Sequence, residues 1–337
     1  MRALWKYENG ILAFKDIDEP RIRSEQDIKI KVMYCTIGIQ DLRVYRKWDF
    51  YAKSGVAGYE MSGIIVDLGS EAKKAGFYIG QHVSGTVARF CGTCVYCVNG
   101  EENNCLEITP NPGTICDVVV WNMNQVVAIP DEMPFSIGCL LEPVAVVYQA
   151  FSKANIQRGD DICIFGGDFN GLVLLQLAKQ AGAKSITVVE PKEGNQKLAR
   201  QLGADFVVDP REDTYKTELM KISDFIGFQS VFLTSSHPEW ISVSTDFVAR
   251  GGTMMLMVYY DLDIDFSMNS IKFFLMNIKI TSSFLYTKKK LVETLPILGS
   301  LHLAPLIHSE YSMKDSLTAF DVEQKSHYPR IGLRIKD

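Results

Sequence analysis

The sequence predicts an α/β protein: a β-rich part followed by a doubly wound parallel sheet. Three observations carry that reading. From Met1 to about Ala128, short β-type segments such as IKIKVMY, SGIIVDLG and ICDVVVWNM alternate with Gly, Pro and charged turns. From about Asp161 the texture changes to apolar strand, Gly-rich turn, amphipathic helix and strand again, an alternation that requires crossover helices on a parallel sheet. The 337 residues, 47% of them hydrophobic, suffice for two full cores.

In chain order, DICIFGG reads as a strand entering a turn, DFNGLVLLQLAKQAGAK as a helix, SITVVEP as a strand, NQKLARQLGA as a helix and DFVVDP as a strand. The pattern continues through QSVFLTSS, WISVSTDFVARGG, TMMLMVYY and IKITSSFL. After about Lys288 come one helix, KKLVETLPILGS, with YTKKK as its solvated start, and a β-like tail, RIGLRI. That remainder is too small for a third domain and is expected to pack back on the first. The predicted boundaries are 1–144, 145–285 and 286–337.

The 35 basic and 40 acidic residues leave a formal charge of -5, without the clustered Lys/Arg stripe that phosphate neutralisation needs, so nucleic acid is not an expected partner. No run of eighteen apolar residues and no targeting segment is present, which predicts a soluble, cytoplasmic chain with no membrane partner. In that reducing compartment, clustered cysteines read as metal ligands rather than disulfides.

Four of the eight cysteines fall in CGTCVYCVNGEENNC, where Cys91, Cys94, Cys97 and Cys105 follow C-x2-C-x2-C-x7-C. Two-residue gaps let successive thiolates converge on one ion at about 2.3 Å, and four thiolates close a tetrahedral zinc site. A closed site has no position for substrate. Four thiolates around one divalent ion carry an excess of negative charge that calls for backbone N–H donors, so the expected role is to hold a lobe.

Several pieces in order resemble the zinc-dependent medium-chain dehydrogenases/reductases, in particular the sorbitol and threonine dehydrogenase branch. They are GYEMSGIIVDLG, the four-cysteine lobe, LLEPVAVVYQA, IFGGDFNG, VVEP, QLGADFVVDP and ARGGTMMLM. The resemblance covers nearly the whole chain. It implies a GroES-like catalytic domain and a Rossmann dinucleotide-binding domain, structural zinc in the lobe, and a second zinc in the cleft between domains that polarises the substrate oxygen. The ligands of that second zinc are altered. The family's cysteine position is Gly38 in TIGIQD, and the histidine of its Gly-His-Glu segment is Tyr59. Glu60 matches the glutamate beside that histidine and Glu142 the Glu-Pro glutamate of the polyol branch. Without soft ligands a conventional catalytic zinc is not expected. The hydroxyl residue before Asp41 is Gln40, and Arg43 stands where a relay histidine is common. The candidate catalytic residues are therefore Tyr59 as proton donor, Arg43 as a cation for an anionic substrate group, and Glu60, Glu142 and Asp41 as carboxylates. Alternatively Tyr59 fills the vacated metal cavity and Arg43 pairs with Glu60 or Asp41. None of the histidines, His82, His237, His302, His308 and His327, falls at a ligand position.

In the nucleotide turn, Gly166 and Gly171 match the first and last glycines of G-x-G-x-x-G, Gly167 lies between, and the middle glycine is Asp168, which crowds a pyrophosphate and adds charge beside it. Glu190 ends the second strand nineteen residues after Gly171, where an acidic residue receives the ribose hydroxyls and repels a 2′-phosphate. The expected activity is an NAD(H)-dependent interconversion of an alcohol and a carbonyl on a polyol, sugar or cyclitol, with NADP less favoured and structural zinc only. Two alternatives stay open: a displaced catalytic zinc on Glu60, Glu142 and Asp41 or Cys35, and a non-catalytic descendant acting as a binding or regulatory protein. A homodimer or homotetramer pairing through a sheet edge near TMMLMVYY is expected from the resemblance and from that strand's lack of charge.

Overall fold

Alternation along DIKIKVMYCTI buries Ile28, Ile30 and Val32 on one face, and the whole of Tyr34–Ile37 is enclosed. In this computed structural model, which describes residues 1–42, 54–111, 113–257, 269–326 and 328–335, that strand, Asp27–Ile37, is the axis of a seven-stranded sheet. Glu60–Leu68 pairs antiparallel along one of its edges. Its other edge is shared by Val118–Asn122, which covers the first half, and Arg330–Arg334, which covers the second. His82–Gly85 and Val126–Ala128 extend the sheet beyond Glu60–Leu68, and Ile307–Ser312 lies parallel to Arg330–Arg334. The core on this sheet includes Met61, Trp121, Phe320, Ile331 and Leu333, so the tail supplies part of the first core. The chain divides into two compact units, Met1–Pro143 with Thr287–Asp337, and Val144–Tyr286.

The second unit is a six-stranded, all-parallel sheet. Its order is Phe206–Val208, Ser185–Val189, Asp161–Phe165, Phe228–Leu233, Val248–Leu256 and Lys279–Ser282. The first strand in sequence is thus third in space, and the chain reverses direction across the sheet between Asp161–Phe165 and Phe228–Leu233. That reversal is the point at which doubly wound sheets present a ligand crevice. The strands are near-continuous apolar runs because helices cover both faces; in DICIF every residue after Asp161 is buried.

The outer edge of this sheet differs from the sequence expectation. Of TMMLMVYY, residues 253–256 end the strand Val248–Leu256, which is paired on both sides, by Phe228–Leu233 and by Lys279–Ser282. The missing charge of residues 253–256 reflects their place in mid-sheet, and among the described residues the outer strand is Lys279–Ser282; Val258, Tyr259 and Tyr260 lie outside the described residues. Among the described residues no helix is long and apolar enough to cross a membrane.

Candidate functional site

The four cysteines converge. Ligand atoms of Cys91, Cys94, Cys97 and Cys105 all lie within 4.8 Å of one another, and among the described residues no other group of three or more metal-ligating side chains does so. Short turns at Gly92 and Gly100, both at positive φ, bring the thiols around. Backbone N–H groups face the sulfurs: Cys91 donates to Cys105 Sγ at 3.3 Å, Cys94 to Cys91 Sγ at 3.3 Å and Glu107 to Cys105 Sγ at 3.4 Å. Such donors from Thr93 and Cys94 lower the Cys91 thiol to about 6, whereas burial pushes Cys97 up to about 12. Four thiols with N–H donors fit a thiolate-bound metal, and a bound ion would deprotonate the set.

The second family metal position is built differently. The carboxylate of Glu60 accepts from Arg330 Nε at 3.2 and 3.0 Å and from Arg330 Nη2 at 2.8 Å, and its second oxygen also accepts from the Thr36 hydroxyl. Arg330 Nη1 donates to the Pro329 carbonyl at 2.7 Å. Both side chains of the pair are 6% exposed. Burial alone lowers the affinity of Arg330 for its proton, but the charge and hydrogen bonds of Glu60 outweigh it and raise the pKa above the usual arginine value. Strand register explains the meeting: Thr36 lies opposite Glu60 on one side and Gly332 on the other. One residue along, Ile331 lies opposite Ile37, so that Arg330 comes level with Gly38, two residues from Thr36 and on the same face.

The other sequence-predicted residues are placed as follows. Asp41 is buried and accepts from the Gly38 N–H at 3.0 Å, closing the short helix Ile39–Leu42. Tyr59 is half-buried against the core of the first unit and lines a cavity with Trp5, Ala57 and Pro110. Glu142 is half-buried in the first turn of the helix Leu141–Ala154. Arg43 and His327 lie outside the described residues. The partner of Glu60 is thus Arg330, to which the sequence assigned no role. Cys35 is fully buried and donates to the Thr114 carbonyl at 3.2 Å, with burial holding its thiol well above the ordinary value. Neither it nor Asp41 joins Glu60 in a ligand set. His82 lies 3.8 Å from Asp131, His237 stacks on Trp240 and His308 on Tyr328.

In the second unit the Gly-rich turn leads from Asp161–Phe165 into the helix Phe169–Gln180. Gly166 is at φ +119°, and a Cβ on Gly171 would collide with the Gly166 carbonyl oxygen, so both glycines serve the tight turn and the close helix approach. Asp168 caps the helix, its carboxylate accepting from the Gly171 N–H at 3.0 Å. Glu190 stands at the end of Ser185–Val189 and folds toward the turn. It accepts from the Gly167 N–H at 2.6 Å and the Lys192 N–H at 2.8 Å. Burial raises its pKa above the usual carboxylate range, partly offset by those two donors. An acidic side chain at this strand end, touching the first half of the glycine turn, suits the hydroxyls of a nucleoside ribose.

A six-stranded parallel sheet in the order 3-2-1-4-5-6, with a Gly-rich first turn and an acidic second-strand end, defines a Rossmann-like unit; the other unit is β-rich and carries the four-cysteine lobe. Residues 24–131 match the family description "Alcohol dehydrogenase GroES-like domain" and residues 171–300 match "Zinc-binding dehydrogenase". The chain belongs to the zinc-type medium-chain dehydrogenase/reductase family and is an alcohol dehydrogenase-like oxidoreductase. It is 26% identical over 349 residues to the L-threonine 3-dehydrogenase of Pyrococcus horikoshii, covering 100% of this chain and 99% of that one. To the scyllo-inosose 3-dehydrogenase of Thermotoga maritima it is 27% identical over 263 residues, 71% of this chain and 66% of the relative. The crystal structure of galactitol-1-phosphate dehydrogenase from Escherichia coli shares the fold with a TM-score of 0.90 at 21% identity, over 99% of this chain and 100% of that one.

Proposed function

We propose that the protein is an NAD(H)-dependent oxidoreductase that interconverts an alcohol and a carbonyl on a polyol, sugar or cyclitol-like substrate, with zinc in the four-cysteine lobe only. The observation that carries the cofactor half is Glu190, buried at the second strand end with its carboxylate against Gly167. A carboxylate there accepts from ribose hydroxyls and repels a 2′-phosphate, which favours NAD over NADP. When bound, the nicotinamide supplies the hydride acceptor or donor. The substrate half is supported by the threonine and cyclitol dehydrogenases to which the chain is similar.

The proton is assigned to Tyr59. Glu60 is held on both oxygens by Arg330 and Thr36, and Tyr59 stands at the histidine position of the family's Gly-His-Glu segment. A phenol can donate a hydrogen bond, and then a proton, to a developing alkoxide. A second copy of the chain, paired through the outer strand Lys279–Ser282, is the expected partner. The first test is a fluorescence titration with NADH and NADPH, followed by turnover on a carbonyl panel. Micromolar NADH binding, weaker NADPH binding and turnover abolished by Tyr59→Phe are expected. Binding of neither nucleotide would refute the proposal and leave a non-catalytic descendant.

A further inference from the structure

The vacated metal-ligand position and the buried ion pair occupy the same space. A Cβ placed on Gly38 meets Arg330 Cζ at 2.7 Å and its Nε and Nη1 at 2.9 Å, closer than real Cβ atoms approach anything. The backbone of Gly38 is not in the left-handed region, so a side chain there meets a spatial obstacle, not a conformational one: the guanidinium would have to shift, and it is held by the Glu60 carboxylate and the Pro329 carbonyl. A cysteine at 38 would have to displace Arg330, and a displaced Arg330 would leave the Glu60 carboxylate buried without its cation. The donors do not fit a metal: position 38 offers no ligand atom, position 59 a phenol, both oxygens of Glu60 are engaged, and among the described residues Glu142, Asp41 and Cys35 form no converging ligand group with Glu60.

We propose that Arg330 is the resident cation of this site, seated in the room that a metal-binding side chain at position 38 would take, so that Gly38, Glu60 and Arg330 form a metal-free charge centre. This deepens the reading that zinc is confined to the cysteine lobe, and rests on it. Arg330 acts as a positioning residue: it fixes the Glu60 carboxylate, which in turn accepts from the Thr36 hydroxyl. Gly38 is the permissive residue, retained because the guanidinium needs its missing Cβ.

The test is a double-mutant cycle with a metal count. Gly38→Ala in the arginine chain is expected to lower the melting temperature by about 5 °C through overpacking, and by under about 1 °C in an Arg330→Met background. Equal losses in both backgrounds would overturn the proposal. Should Arg330→Met not fold, Arg330→Lys replaces it, since lysine lacks the planar Nε and Nη atoms that crowd position 38; Gly38→Ala must then cost less than in the arginine chain. In the second arm, Gly38→Cys/Tyr59→His binds one cobalt(II) per chain while Arg330 is present and two once Arg330→Met is added. A second cobalt with Arg330 in place overturns the proposal. Two zinc ions in the unmodified protein would instead refute the lobe-only zinc reading, and absence of nucleotide binding would refute the cofactor reading without touching the cycle.

Discussion

Replacing Asp168 by asparagine should tighten NADH binding. The carboxylate sits at the N-terminus of Phe169–Gln180 and already accepts from the Gly171 N–H at 3.0 Å, so a charge of the protein's own stands where a pyrophosphate seeks N–H donors and the positive end of the helix dipole. Two unit charges about 5 Å apart repel by roughly 3 kcal/mol at an effective dielectric of 20. Asp168 is half-buried, and screening reduces that to about 1–2 kcal/mol, or a five- to thirty-fold gain in affinity on removing the charge. Asparagine keeps an oxygen for the cap, so helix stability is conserved; Asp168→Gly loses the cap at a cost of a few tenths of a kcal/mol and opens the backbone to the phosphates. The assay is a fluorescence titration of wild type and both variants at low salt and at about 0.5 M, where the advantage of the variants should shrink. If Asp168→Asn binds NADH within twofold of wild type at low salt, the charge does not face the cofactor and the reasoning fails.

Three further outcomes follow from the geometry. Glu190→Ser should lower the preference for NADH over NADPH at least about tenfold, the size of losing one charge-assisted contact, and an unchanged ratio would exclude Glu190 from the ribose. Because burial raises the Glu190 pKa, the folded chain holds that proton more tightly than the unfolded one; its stabilising effect is full below the ordinary value of 4.5 and is lost as pH rises through the raised value. Thermal melts of Glu190→Gln should therefore show a flatter decline with pH above 4.5 than wild type, and parallel curves would contradict the shift. Cys97→Ser, removing one of the two buried thiols of the lobe, should take the zinc content from about one per chain to none and expose residues 91–105 to proteolysis; a protein that keeps its metal would show that three thiols suffice. Light scattering at micromolar concentration should give a dimer or a multiple of it, and a monomeric mass would remove the pairing through Lys279–Ser282.

Local sequence made the second unit legible because each piece of it is a nearest-neighbour event: a strand such as DICIF, a turn whose glycines touch within five residues, a helix, and the next strand. The lobe was legible for the same reason, with all four thiols inside fifteen positions. Arg330 was not, because it meets Glu60 across 270 residues and through a strand register that no local pattern encodes. One signal pointed toward it. A glutamate kept in place after its metal ligands are gone needs another cation, and YPRIGLRI supplies an arginine in a strand-like tail that must return to the first unit. The edge strand was misjudged because an uncharged run reads alike whether a strand is buried in mid-sheet or at an edge.

The placement of Arg330–Arg334 beside Tyr34–Ile37 has a consequence for birth on the ribosome. Val144–Tyr286 is continuous in sequence and can close its sheet as soon as it emerges, whereas the first unit, begun earlier, waits for a strand made some 290 residues later. Until that strand docks, one edge of Tyr34–Ile37 is unpaired and Glu60 has no counter-ion. Translation thus completes the older half last, and the Glu60–Arg330 pair can form only once nearly the whole chain has been made.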